Sequence, residues 1–145
     1  MDIYKIASDV VKELSQKAEK AGVSLRLEGE KAEIKGIPGT LHEMIFNVCD
    51  NAISYNNRGG HADVSVRKVG DKTVLEVKDD GIGIAPEHQE RVFERFYRVD
   101  KSRSKERGGT GLGLSIVKHG VLLHGARLSM QSEPGKGTDI TIVFD

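Results

Sequence analysis

Tryptophan is absent from this 145-residue chain, cysteine occurs once and proline three times, and 22 Lys and Arg balance 22 Asp and Glu. Each shortage excludes something. The single Cys49 has no partner within the chain for a disulfide, so a packed core must hold the fold, and a reducing, cytoplasmic setting is expected. Balanced charge and an aromatic content of 5% remove the basic, aromatic-rich footprint of a nucleic-acid binder. No apolar run approaches the roughly 20 residues that span a bilayer, and the first residues lack the basic-then-apolar plan of a signal peptide. Direct membrane contact is therefore not expected. His42, His61, His88, His119 and His124 make no pair of metal-ligand spacing with each other or with Cys49. His119 and His124 flank the end of a predicted helix and read as surface or helix-terminus histidines. The length and a 37% apolar content suit one core and are short for two, so residues 1–145 are expected to form a single domain.

Glycine is plentiful, and two clusters of it stand out: Asp79-Asp80-Gly81-Ile82-Gly83 and Gly109-Thr110-Gly111-Leu112-Gly113-Leu114. Without a Cβ, glycine permits positive φ and lets backbone N–H groups approach a ligand, while a helix N-terminus after Gly111 would favour phosphate. Either cluster alone is weak evidence; together they point to a nucleotide pocket.

The periodicities place these clusters. Ile6, Val10, Val11, Leu14 and Ala18 recur at helical steps up to Gly22. Val23 to Leu27 alternates as a strand, with Ala32-Glu33-Ile34 as its expected hairpin partner across a turn at Glu28 to Lys31. Pro38 fits a helix start, and an apolar face from Leu41 to Ile53 continues until Asn56-Asn57-Arg58-Gly59-Gly60 stops it. Alternation at Ala62, Val64 and Val66 and again at Val74 and Val77 predicts a hairpin turning at Gly70-Asp71 and running into the first glycine cluster. A third helix near Gly111 and closing strands over 127–131 and 138–144 complete the order. Three helices segregated from mostly antiparallel strands predict an α+β fold, a two-layer sandwich with the helices on one face of a mixed sheet. The stretch of about 84–109 is long for a loop, with a short helix expected over 89–96, and reads as a lid.

Glu43, Asn47, Asn51 and Tyr55 stand four apart, a polar line on an otherwise apolar helix. Asparagine is a poor helix former, and a side-chain carbonyl can ligate Mg²⁺ while waters and phosphates complete the octahedron; an ordinary solvated helix face has the same spacing. Asp79 ends a strand, where its carboxylate could accept from the exocyclic amine of a base, with Gly81 and Gly83 letting a flat ring lie against backbone; common Asp-Gly turn chemistry is the alternative. Arg95, Arg98, Lys101, Arg103, Lys105 and Arg107 concentrate positive charge before the second cluster, as expected of a lid over a polyphosphate or of a solvated basic loop. Phe93, Phe96 and Tyr97 are expected to anchor its base by packing.

These boxes together resemble the catalytic and ATP-binding domain of bacterial sensor histidine kinases, related to the gyrase, heat-shock chaperone and mismatch-repair ATPases of the GHKL group. His42 to Ala52 looks like the N box, Asp79 to Gly83 the first glycine box, Phe93 to Arg98 the F box, Gly109 to Leu114 the second glycine box, and Gly135-Lys136-Gly137-Thr138 the terminal glycine turn. The match covers nearly the whole chain. It implies the Bergerat fold, ATP and Mg²⁺ as cofactors, and transfer of the γ-phosphoryl to a histidine.

By the same resemblance Asn51 ligates Mg²⁺, Asn47 lies close to the phosphates, Tyr55 flanks the nucleotide and Asp79 reads the adenine amine. Arg98 approaches the γ-phosphate and Lys101 the polyphosphate; Gly81, Gly83, Ile84 and Thr138 belong to the base pocket. The backbone of Gly109, Thr110, Gly111, Leu112, Gly113 and Leu114 cradles phosphate. Where the family often has a lysine, this chain has Ser54, which removes one phosphate contact. Asn47 stands where related hydrolytic ATPases have a glutamate base, and an amide cannot take a proton from water, so self-contained hydrolysis is not expected.

The implied partners are a dimerisation and phosphoacceptor helical hairpin of the same kinase and a response regulator. His42-Glu43 matches the acceptor dipeptide without the proline that follows it in the family, and it opens the nucleotide helix. The chain is therefore expected to be a piece of a longer kinase that holds the acceptor and any membrane anchor. A related serine kinase of the anti-sigma type and a non-catalytic ATP-binding docking module are the competing expectations.

Overall fold

The computed structural model describes residues 1–94 and 113–145. Helix α1, Ile3–Ala21, begins at Asp2, whose carboxylate accepts the Tyr4 N–H at 3.0 Å and so satisfies one of the first-turn donors. It ends at Gly22, φ 70°, where the N–H groups of Gly22 and Val23 return to the carbonyls of Glu19 and Ala18 at 3.1 and 2.9 Å. This is a Schellman closure, as the glycine led us to expect.

Strand β1, Ser24–Gly29, does not pair with residues 32–34 as expected. It runs parallel to β2, His61–Val69, with Leu27 opposite Val64, and the long helix α2, Pro38–Ser54, makes the crossover between them. Ala32 to Ile34 instead complete the start of α1. The Ala32 carbonyl accepts the Ile3 N–H at 2.8 Å, Ile34 donates to the Met1 carbonyl at 2.8 Å, and Asp2 and Glu33 form an isolated bridge. The orphan donors at the head of α1 win these residues, and Gly29, φ 137°, turns the chain away where a Cβ would collide with the Val66 carbonyl.

β2 and β3, Lys72–Asp79, form the expected hairpin, with Gly70 at φ 65° in its turn. After two 3-10 turns, Pro86–His88 and Arg91–Phe93, and the undescribed residues, helix α3 is described over Gly113–Leu123, followed by β4, Arg127–Glu133, and β5, Gly137–Phe144. Of the short helix expected over 89–96, the described part is only the turn at Arg91–Phe93, after which Glu94 is extended. The sheet order is β1-β2-β3-β5-β4, antiparallel except at β1–β2. It is the mixed, mostly antiparallel sheet that was expected.

The three α-helices of the described residues cover one sheet face. Val64, Val66, Leu75, Val77, Ile140 and Ile142 project from the strands to meet Val10, Leu41, Met44, Ile45, Val48 and Val117, all essentially inaccessible to solvent. Burying each such side chain contributes about 1.5–3 kcal/mol. Gly120 sets the closeness of α3 to α2, since a Cβ there would run into Met44. Helix α2, packed on both neighbours, thereby has a fixed rotation, and its polar line has a fixed direction.

Candidate functional site

Asp79 is the last residue of β3 and lies opposite Thr138 of β5. Its Oδ1 accepts the backbone N–H of Gly81 at 2.9 Å and of Thr138 at 3.3 Å. Among the described residues no bond falls on Oδ2, which is not sealed from solvent. The carboxylate is thus held by one oxygen and offers the other. Burial, the main cause, pushes its pKa up to about 6; the two N–H donors oppose that shift, and the neighbouring charges of Asp80 and Asp139 add to it. Asp80 behaves in the opposite way. It accepts the His61 N–H at 2.6 Å and faces the His61 ring at 2.9 Å, and chiefly the backbone bond holds its carboxyl below the usual range.

The glycines of the first box make close approaches that no side chain would permit. A Cβ on Gly81 would strike the Tyr55 carbonyl, which also accepts the Ile82 N–H at 3.1 Å. The C-terminal end of α2, with Tyr55 as its cap, is therefore clamped to the box. Gly83, φ 71°, passes against the Glu133 backbone, and Gly137, φ 98°, against the Asp79 carbonyl. Ile84 donates its N–H to Ser132 Oγ at 2.8 Å.

Asn47 and Asn51 share the polar face of α2, both half-buried, while Glu43 one turn earlier is exposed. The Asn47 amide nitrogen donates to the Glu43 carbonyl at 2.7 Å, which leaves its Oδ1 as the free end. Gly113 faces this pair: a Cβ there would stand 3.3 Å from Asn47 Oδ1 and 3.7 Å from Asn51 Oδ1. Leu114 directs its side chain to the core, so any ligand contact from it is through backbone. The fold thus joins Asp79 with Gly81, Gly83, Ile84 and Thr138, brings Tyr55 to the same box, and sets Asn47 and Asn51 beside Gly113. Arg98, Lys101, Gly109, Thr110, Gly111 and Leu112 lie outside the described residues.

Phe93 lines, with Lys118, Val121, Leu122, Leu128 and Met130, a cavity of about 330 Å³ rather than joining the core, and Phe96 and Tyr97 lie outside the described residues. That cavity, between α3 and β4, includes neither Asp79 nor the asparagines, and we place the chemistry with the polar groups rather than with this apolar groove. His124 is more than a surface residue. Its Nδ1 faces the Gly120 carbonyl at 2.8 Å, as a helix-terminus histidine should, while Nε2 accepts the Ile37 N–H at 3.0 Å and so ties the head of α2 to the tail of α3. Ser132 and Gln89, both bonded to the glycine box, were not foreseen. An isolated serine in an alternating strand and a glutamine in a loop have no pattern that marks them.

The donor set favours a hard cation that arrives with its own anions. Among the described residues no group of three or more His, Cys, Asp or Glu could hold a metal, whereas two neutral amides side by side suit Mg²⁺ whose charge is balanced by phosphates. Among the described residues no helix is long and apolar enough to cross a membrane.

Several known proteins are similar to this chain in sequence or in fold. Over 143 residues the chain is 41% identical to the sensor-like histidine kinase SenX3 of Mycolicibacterium smegmatis, covering 98% of this chain and 37% of that protein. It is 37% identical over 139 residues to the sensor histidine kinase RppB of Synechocystis, covering 94% of this chain and 31% of that one. It is 41% identical over 118 residues to the histidine-protein kinase ArlS of Staphylococcus aureus, covering 81% and 26%. The chain therefore spans little more than a third of these relatives at most. Its fold superposes on the mycobacterial sensor histidine kinase MprB with a TM-score of 0.86 at 28% identity, covering 99% of this chain and 94% of that one. Full-length ShkA, solved in complex with AMPPNP, shares the fold at a TM-score of 0.81 and 23% identity, covering 99% of this chain and 30% of that one. The relatives are sensor kinases, which does not favour the anti-sigma serine kinase expectation. Residues 36–145 match the model of the histidine kinase-, DNA gyrase B-, and HSP90-like ATPases, and the chain belongs to that family as a catalytic domain of the sensor histidine kinase kind.

Proposed function

We propose that residues 1–145 are one domain that binds Mg-ATP and, within a longer kinase, transfers the γ-phosphoryl to a histidine of a helical hairpin. The observation that carries this is the Asp79 carboxylate, fixed through Oδ1 by Gly81 and Thr138 with Oδ2 open, on the same fold that faces two asparagine amides toward Gly113.

The 6-amino group of adenine donates to Asp79 Oδ2, and a 6-oxo base has no donor to offer there. Gly81, Gly83 and Ile84 give the ring a backbone wall, and Tyr55 flanks it. Asn51 would hold Mg²⁺ through its side-chain oxygen, with Asn47 beside the phosphates, and the ion would supply neutralisation of phosphate charge. The backbone of Gly109, Thr110, Gly111, Leu112, Gly113 and Leu114 at the head of α3 receives the phosphates, and Lys101 and Arg98 close over them, Arg98 against the γ-phosphoryl. In the transfer, the lone pair of the acceptor histidine forms the N–P bond as the bond between γ-phosphorus and its bridging oxygen breaks, and ADP leaves with that electron pair. Self-contained hydrolysis is not expected, because Asn47 stands at the site of a hydrolytic base and an amide cannot take a proton from water.

A response regulator downstream and a cytoplasmic location complete the proposal, with nucleic acid and membrane making no contact with this domain. Calorimetric titration with ATP, with and without Mg²⁺ and against GTP, is the test. Metal-sensitive binding of ATP over GTP is expected, followed by labelling of an added histidine hairpin. Equal binding of GTP and ATP would overturn the adenine assignment, and binding without any transfer to the hairpin would point to a docking module.

A further inference from the structure

Ser132 of β4 sits where three segments of the base pocket converge. Its Oγ accepts the Ile84 N–H at 2.8 Å, donates to the Gly137 carbonyl at 3.0 Å and lies 2.8 Å from Thr138 Oγ1. A serine hydroxyl has one proton and two lone pairs. The Gly137 carbonyl can only accept, so it takes that proton, and the Thr138 hydroxyl must then donate to Ser132. All of Ser132's hydrogen-bonding capacity is used, in one arrangement. Thr138 is in turn the residue whose N–H fixes Asp79 Oδ1, at 3.3 Å.

Gln89 adds a second tie. Its Nε2 donates to the carbonyls of Ile84 and Ser132, both at 2.9 Å, so the exit of the glycine box is bound to the same point of β4 by backbone and side chain. Neither Ser132 nor Gln89 is directed by its bonds at the open oxygen of Asp79. Ser132 reaches Asp79 through Thr138, whose N–H bonds Oδ1, and Gln89 reaches it only by way of Ser132 and Ile84.

We propose that Ser132, assisted by Gln89, is a positioning residue for base selectivity: it locks Thr138 and Ile84 so that Asp79 Oδ2 is held where it distinguishes a 6-amino from a 6-oxo purine. The inference rests on the nucleotide-binding function proposed above. Losing the Ser132 hydroxyl frees Thr138 to rotate and leaves the Ile84 N–H and the Gly137 carbonyl without their partner, and the carboxylate loses its fixed register with the base. The triphosphate end, on α2 and α3, does not depend on this network.

The test compares dissociation constants of this chain for Mg-ATP and for Mg-inosine triphosphate, which differs at the base edge alone. The wild type is expected to prefer ATP. Ser132→Ala should lower that preference by about fivefold to tenfold, mainly by weaker ATP binding, as expected when a polar recognition site loses its registration. Gln89→Ala, in a loop, should lower it by about twofold to threefold and provides a readout if Ser132→Ala fails to fold. Ser132→Thr keeps the hydroxyl and should restore the preference. A wild type without preference would refute the adenine assignment itself. An unchanged preference in a folded Ser132→Ala, or in Gln89→Ala should the former not fold, would overturn the positioning role alone, as would an equal loss for both nucleotides.

Discussion

Gly113 of α3 and Asn47 of α2 face each other so closely that a Cβ on the glycine would stand 3.3 Å from Asn47 Oδ1. The gap between them lies at the free ends of the two asparagine amides. Gly113→Val fills it. The expected result is a loss of Mg-ATP affinity of about tenfold or more, equivalent to about 1.4 kcal/mol, with little change in helix content. Calorimetry with circular dichroism checks this, and undiminished affinity would mean that phosphate does not pass this glycine.

Asp79 is held in surroundings that disfavour its charge. With its pKa raised from 3.8 to about 6, the folded domain retains a proton that the unfolded chain releases between those values. The folded state therefore binds more protons in that window, and stability falls as pH rises through it, to a constant deficit above about 6. Asp79→Asn keeps an oxygen for the Gly81 and Thr138 N–H groups and removes the deficit. Thermal melting at pH 7.5 should show a higher Tm for the variant together with loss of the preference for adenine, a trade of stability for recognition. A lower Tm would contradict the account.

The same group sets the pH dependence of binding. A protonated carboxyl presents a poorer acceptor to the 6-amino group, so ATP affinity should hold steady above neutrality and weaken as pH falls through about 6, approaching tenfold per unit well below it. Asp79→Asn should flatten the profile. Titrations at pH 8, 7, 6 and 5 decide the matter, and an equal slope in both proteins would assign the titration to phosphate or to another residue.

Gly120 lies where α3 touches Met44 of α2. Gly120→Val must push the helices apart or force Met44 off its rotamer, at a cost of about 1–3 kcal/mol. Urea unfolding should show a lower midpoint with an unchanged slope. Because α2 and α3 meet again at Asn47 and Gly113, a weaker Mg-ATP affinity should accompany it.

Much of the layout was legible in the chain. The apolar face of α2 named its buried residues, the Gly70-Asp71 turn announced the β2–β3 hairpin, and the first glycine cluster announced the close backbone approaches at Gly81 and Gly83, because each is a local pattern with a local cause. The partner of β1 was not legible. Alternation from Val23 to Leu27 says which side chains face the core and nothing about which strand lies alongside, and a nearby short strand looked more economical than a crossover through α2. The competition for Ala32 and Ile34 was settled by unsatisfied N–H groups at the head of α1, thirty residues away in sequence.

The amino-acid order by itself determined the element types, the residues of the core and the chemical class of the site, since periodicity, glycine conformational freedom and the preferences of amides and carboxylates are properties of a residue and its near neighbours. Tertiary structure alone decided that Asp79 offers Oδ2 and not Oδ1, that Asn47 turns its oxygen toward Gly113, and that Ser132 binds three segments together. Those outcomes depend on hydrogen bonds between β3, β4 and β5 and on the packing of α3 against α2, and such long-range contacts exist only when the whole chain has closed on its core.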